Sequence, residues 1–284
     1  MSIMFNPVSV HQQGSSFPVR RMDFDMHGIN LYFINNDPVS SMLWIAFQAY
    51  FPEGESFFVD SVRDMRSKIN DPQLLKDVSA FIGQEAMHGK EHYVANEEAK
   101  RQGIDVTSLD KAAHQVRQLG NRFLSKRFRL ALTAAAEHFT GVIGSQIARR
   151  SDFRASITDE RVKALILWHA MEETEHRAVA FDVYQHTGGG YMTRALAMTV
   201  VSAGIGPVVL YAMLVCLHQD GQLFNVGSWR RFLANNFGRN GFLSTTVPEL
   251  LQYYRPNFHP TESDCIDVMK VLNQELGIST LLTK

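Results

Sequence analysis

Cysteine is nearly absent from this chain: 284 residues contain 2, Cys216 and Cys265. They stand in different segments without metal-ligand spacing, which argues against a disulfide framework and fits reduced thiols in a cytosolic protein. Excess charge is missing as well. The formal net charge is −1 and no basic patch is evident, so nucleic acid is not an expected partner. Arg149-Arg150 and Arg230-Arg231 read as solvated helix ends. The amino terminus has no charged segment followed by an apolar run, hence no secretory signal is expected. Charge is also missing locally, because residues 195–217 form a run of 23 without Asp, Glu, Lys or Arg, long enough to cross a bilayer. Gly204, Gly206 and Pro207 interrupt that run. The expectation is therefore a broken helical pair that covers the rest of the fold or forms a homodimer face, with peripheral membrane contact through 195–217 as the alternative. A hydrophobic content of 45% is an ordinary globular balance, in a chain long enough for one large or two modest domains.

What the chain does contain is Glu-x-x-His, twice: Glu85-Ala86-Met87-His88 and Glu173-Thr174-Glu175-His176. Each copy has a glutamate upstream in its own helical stretch, Glu55 and Glu137. Residues three apart on a helix share a face, so each copy presents a carboxylate and an imidazole to one point in space. Two glutamate helices facing two Glu-x-x-His helices is the ligand order of a four-helix bundle that encloses two metal ions. Nitrogen and oxygen donors of this kind suit iron or manganese, with zinc as second choice.

A single Glu-x-x-His arises often by chance, but both copies here lie inside apolar stripes. Val162, Leu165, Ile166, His169, Glu173, His176, Ala180 and Val183 fall on one helical face, as do Leu74, Val78, Phe81, Glu85, His88 and His92. Glu55 has Phe58, Val59 and Val62 on its face, whereas Glu53 lies off it. Glu137 has Thr133, Gly141 and Gly144 beside it, small residues that would leave room near a metal. A carboxylate buried in such a stripe needs a partner; the bland alternative is a set of buried charge pairs. Glu172 and Glu175 are expected to point elsewhere, into solvent. His169 stands one turn before Glu173 and is expected as a seventh ligand, the alternative being a core histidine beside Trp168. His92, one turn beyond His88, is an extra ligand, a support for the ligands or plain core, and His138 supports the site or the fold.

Two resemblances follow from these residues. The pattern His169-x-x-x-Glu173-x-x-His176 resembles the di-iron N-oxygenases that act on p-aminobenzoate. Phe51-Pro52-Glu53-Gly54-Glu55, Glu85-x-x-His88-x-x-x-His92, Glu137-His138-Phe139-Thr140, His169-x-x-Glu172-Glu173-x-x-His176 and Arg255-Pro256-Asn257-Phe258-His259-Pro260 together resemble the bacterial family labelled "predicted metal-dependent hydrolase", over most of the chain beyond about residue 20. That second resemblance implies a ferritin-like helical fold and metal binding.

The chain is thus expected to be all-α: an N-terminal arm over 1–37 with at most a short strand, a ferritin-like four-helix bundle over 38–187 and a helical C-terminal extension over 188–284. The breakers place a helix after Ser40 interrupted at Pro52, one from Asp71-Pro72 to about Gly103, one with a weak point at Gly120-Asn121 running to Arg150, and one from Thr158 to Gly188. The residues from Tyr253 to Pro260 read as a lid or a plain loop, with His259 in reach of the site or structural. Carboxylates that shift between bridging and terminal positions favour a di-iron oxidase or oxygenase that takes dioxygen, an electron donor and a small or lipid-like organic substrate. A hydrolase using a metal-bound hydroxide is the alternative, since the same ligands serve it. A metal-binding bundle without turnover is the third reading.

Overall fold

The computed structural model describes residues 8–10, 14–262 and 265–278. Among these the chain is all-α apart from one short antiparallel pair, β1 (Val8–Val10) and β2 (Val19–Arg21). Most long helices have a chemical reason to begin where they do. Asp37 caps α1 (Pro38–Gln48) by accepting from Ser40 N, and Pro38 fills the first turn, where an N–H would be unpaired in any case. Pro52 likewise opens α2 (Phe51–Arg63), so the chain turns between α1 and α2 at Ala49-Tyr50. Asp71 accepts from Gln73 N and Leu74 N to start α3 (Pro72–Arg101). After α4 (Thr107–Phe123), Ser125 caps α5 (Lys126–Arg149) by accepting from Phe128 N. The break falls there, beyond the weak point expected at Gly120-Asn121, because a serine cap satisfies an orphan N–H that glycine cannot. The short α6 (Ser151–Ser156) leads to α7 (Glu160–His176), capped by Asp159. A turn at Arg177-Ala178 separates it from α8 (Val179–His186), where one unbroken helix had been expected.

The apolar run forms one helix, α9 (Tyr191–Gln219), rather than a broken pair. The residue before Pro207 is Gly206, which has no Cβ to clash with the proline ring, and Pro207 is exposed, so water can satisfy the freed carbonyl. Among the described residues α9 alone is long and apolar enough to cross a membrane. Three further helices follow: α10 (Val226–Phe237), α11 (Phe242–Leu251) and α12 (Ile266–Leu276).

Packing closes a ring: α2 lies on α3, α5 on α7, α2 on α5 and α3 on α7. α9 crosses α1 and α5, α10 returns onto α1, and α12 covers α5 and α7. The interior holds two apolar clusters, one around Trp168, Leu165 and Met213, the other around Phe81, Leu130 and Val183. Both touch a buried polar layer, since Trp168 meets the His88 ring at 4.8 Å and Phe81 the His176 ring at 5.0 Å.

Candidate metal centre

The polar layer is built from the four ring-forming helices. α2 supplies Glu55, α3 supplies Glu85 and His88, α5 supplies Glu137, and α7 supplies Glu173 and His176; none is more than 2% exposed. Their donor atoms converge in overlapping triads, each with its atoms within 4.8 Å of one another: Glu55–Glu85–His88, Glu85–Glu137–His176, His88–His169–Glu173 and Glu55–His92–His169. Glu85 joins the first two, its Oε1 lying 3.6 Å from His88 Nδ1 and 3.1 Å from His176 Nε2. His176 Nε2 is also 3.3 Å from Glu137 Oε2.

Both oxygens of Glu55, Glu85 and Glu137 are buried without a hydrogen-bond donor. Burial, then neighbouring carboxylates, push the Glu55 and Glu137 carboxyls well above the usual range. Burial also opposes ionisation of Glu173, but the His176 and His169 imidazoles outweigh it and hold that carboxyl well below the usual range. For His88 burial disfavours the charged form, yet Glu172 and Glu85 prevail and raise it. His92 is driven down by burial and then by His169 and His88. Orphaned carboxylates facing imidazoles are costly to bury alone, and a cation relieves that cost. The donor set, carboxylate oxygen with imidazole nitrogen, fits a divalent transition metal.

The outward nitrogens of both histidines lead to one arginine. His88 Nε2 faces Glu172 Oε2 across 3.2 Å, and Glu172 Oε1 accepts from Arg20 Nη1 at 3.1 Å. His176 Nδ1 meets Gln84 Oε1 at 2.9 Å, Gln84 Nε2 donates to Glu175 Oε2, and Glu175 takes two bonds from Arg20 at 2.7 Å. Arg20, on β2, therefore fixes both imidazoles through carboxylates, the arrangement that orients metal-binding histidines. This corrects the expectation that Glu172 and Glu175 are solvated: Glu172 is fully buried and Glu175 is nearly so, because β2 lies on α3 and brings a cation to them. Arg20 and Gln84 went unread in the sequence and Glu172 was read as solvated; the one signal was a polar residue standing directly before the glutamate of each Glu-x-x-His, Gln84 and Glu172.

His169 is brought into the cluster, its Nε2 lying 2.9 Å from Glu173 Oε1 and its ring stacking on His88 at 4.3 Å. His92 contacts His169, and Phe51 covers both rings. His138 turns away to pack on Tyr253 and Phe258, where burial pulls its pKa down to about 4. His259 pairs with Asp182 at 2.7 Å, and Glu53 with Arg117 at 2.6 Å. Gly141 and Gly144 do not make room for a metal as expected. A Cβ at Gly144 would lie 2.9 Å from Ala170 O and one at Gly141 would lie 3.3 Å from Arg177 Cβ, so these glycines let α5 approach the α7 end of the ring. The glycine beside a carboxylate of the cluster is Gly89, whose Cβ would sit 3.3 Å from Glu55 Oε2.

The model of a protein family described as predicted metal-dependent hydrolase matches residues 18–264. No curated protein and no solved structure matches the chain. The match overturns the expectation of a di-iron oxidase or oxygenase: over most of the chain the likeness is to proteins described by hydrolysis, and the resemblance to p-aminobenzoate N-oxygenases finds no support. The ligands did not discriminate because one set of carboxylates and imidazoles serves either reaction.

Proposed function

Because the chain belongs to the predicted metal-dependent hydrolase family, we propose that Glu55, Glu85, His88, Glu137, Glu173 and His176, with His169 as a seventh ligand, hold two divalent metal ions at which a small organic substrate is hydrolysed. The ring of α2, α3, α5 and α7 is then a ferritin-like four-helix bundle. The observation that carries this reading is the convergence of three buried carboxylates without hydrogen-bond donors on imidazoles from the facing helices. Ions bound there supply Lewis acidity, acidifying a water and polarising the scissile bond.

The chain's own residues do the rest. Arg20, acting through Glu172 and through Glu175 and Gln84, keeps one nitrogen of His88 and one of His176 turned inward. Thr140 donates to Glu173 Oε2 and restrains that carboxylate. A pocket of about 40 Å³ borders His92, His169 and Glu173, space for a reacting water. His92 Nδ1 is buried without a partner, so this atom can accept a hydrogen bond that orients that water. Phe51 shields both imidazoles from bulk solvent.

The test is hydrolysis of p-nitrophenyl acetate by protein loaded with zinc, manganese or iron. Turnover should vanish on chelation, return with metal and be lost in Glu173→Ala. Metal-loaded protein that splits no ester, amide or phosphoester would refute the reading.

A further inference from the structure

Beside the metal centre lies a cavity of about 920 Å³, far larger than a hydrolytic water requires and within the range of pockets that enclose organic ligands. Its walls come from α1, α5, α6, α9, α10 and α11 and are chiefly aliphatic and aromatic. Trp44, Phe47 and Ile143 line both this chamber and the small pocket that holds His92, His169 and Glu173. One layer of side chains therefore separates the chamber from the ligands. The far side opens to solvent through apolar residues, for Leu210, Leu233 and Phe237 line the chamber while being 49%, 50% and 59% exposed. Arg150 and Asp152 in the wall are paired with each other at 2.9 Å, which leaves Arg239 as the remaining charged lining residue. α9, which forms one wall, is apolar on its outer surface too, with Val208, Tyr211 and Leu214 exposed.

We propose that this chamber binds the hydrocarbon chain of a single-chain amphiphile, an acyl ester or amide, and places its carbonyl against Phe47 and Trp44 at the metal centre. The inference rests on the hydrolytic reading of that centre and adds the substrate class. A slender chain suits a chamber that ends at the side chains it shares with a water-sized pocket, whereas a folded partner would be stopped at the mouth. The apolar rim does not repel such a chain, and the apolar α9 surface is where an amphiphile would collect before entry. The reaction balances without an oxidant or reductant: the oxygen of water bonds to the acyl carbon, the bond to the leaving oxygen or nitrogen breaks, and the leaving group takes the proton.

Two measurements on the full chain test this. In the first, metal-loaded protein hydrolyses p-nitrophenyl acetate, hexanoate and dodecanoate; kcat/KM should rise by about fourfold per methylene until the chamber is full. In the second, binding of the fluorescent fatty acid cis-parinaric acid is measured for the native chain, for Val209→Trp, which fills the chamber from α9, and for Leu233→Glu, which charges its exposed rim. Both variants should weaken binding by at least about tenfold, and Leu233→Glu guards against a failure of Val209→Trp to fold. Binding that these substitutions weaken, with no ester turned over, sinks the hydrolytic reading and keeps the chamber. Acetate turnover with no gain from chain length and no parinaric acid binding sinks the chamber and keeps the reading. Binding unchanged in both variants places the chain elsewhere, and a dimer whose formation excludes the probe makes the mouth an interface between copies; either result overturns the inference.

Discussion

Arg20 is the residue whose removal should be felt furthest. It is 5% exposed and lies on a three-residue strand, yet it bonds Glu172 at 3.1 Å and Glu175 at 2.7 Å and reaches both imidazoles through them. Burial disfavours its charge, but the two carboxylates prevail and hold the guanidinium protonated. Arg20→Met keeps the length and apolar stem and leaves Glu172, which is fully buried, facing only His88. Removing one partner of a buried pair costs about 3–5 kcal/mol, because the other charge stays behind. In a chain of this size each kcal/mol lowers Tm by about 2–4 °C, so a fall of roughly 6–20 °C is expected. Loss of the groups that orient the histidines should weaken metal affinity by about 10- to 100-fold. Urea denaturation of metal-free protein measures the first effect and metal titration the second. In a Glu172→Gln, Glu175→Gln background the same Arg20 substitution should cost much less, since no carboxylate is stranded. A loss below about 1 kcal/mol, the range of a surface pair, or an undiminished loss in the double background, would refute the reasoning.

Gly144→Ala should cost about 1–3 kcal/mol and reduce metal content, because its Cβ would meet the backbone oxygen of Ala170 at 2.9 Å and force α5 and α7 apart; denaturation and elemental analysis check this, and an unchanged variant contradicts it. In metal-free protein burial raises the Glu55 and Glu137 carboxyls, so they carry protons that an incoming cation must displace. Metal loading should therefore release protons, and apparent affinity should fall as the pH is lowered; calorimetry in buffers of different ionisation enthalpy reads the protons, and none released would contradict the assignment. Cys216 is fully buried, and burial pushes its thiol up to about 12. It should react with a disulfide reagent only as the protein unfolds, after the half-buried Cys265; prompt labelling of both thiols would be the contrary result.

The helices that carry the buried Glu and His cluster were legible because their chemistry is local. Glu85 with His88 and Glu173 with His176 fix a helical face by spacing alone, and Asp71 and Asp159 announce the starts of α3 and α7, whereas the cap at Asp37 that starts α1 at Pro38 was missed for a start after Ser40. What sequence could not give depends on distant contacts. Arg20 meets Glu172 across 152 positions, so Glu172 read as a solvated neighbour of Glu173. Gly144 was taken for space at the metal because its true neighbour, Ala170 O, lies on another helix. Pro207 read as a break since the effect of Gly206 before it and of solvent around it was not weighed. The chamber is assembled from six helices, and no single segment carries its signature. The reaction itself lay outside what the ligands encode.

The most direct measurement is elemental analysis of protein from culture supplemented with iron, manganese and zinc, made side by side on the native chain, Glu85→Ala and Glu173→Ala. About two divalent ions per native chain are expected, falling to about one or none in either variant, since Glu85 takes part in two of the donor triads and Glu173 in a third. A native chain without stoichiometric metal, or variants that keep the full complement, would contradict the assignment of this buried cluster as a two-metal centre.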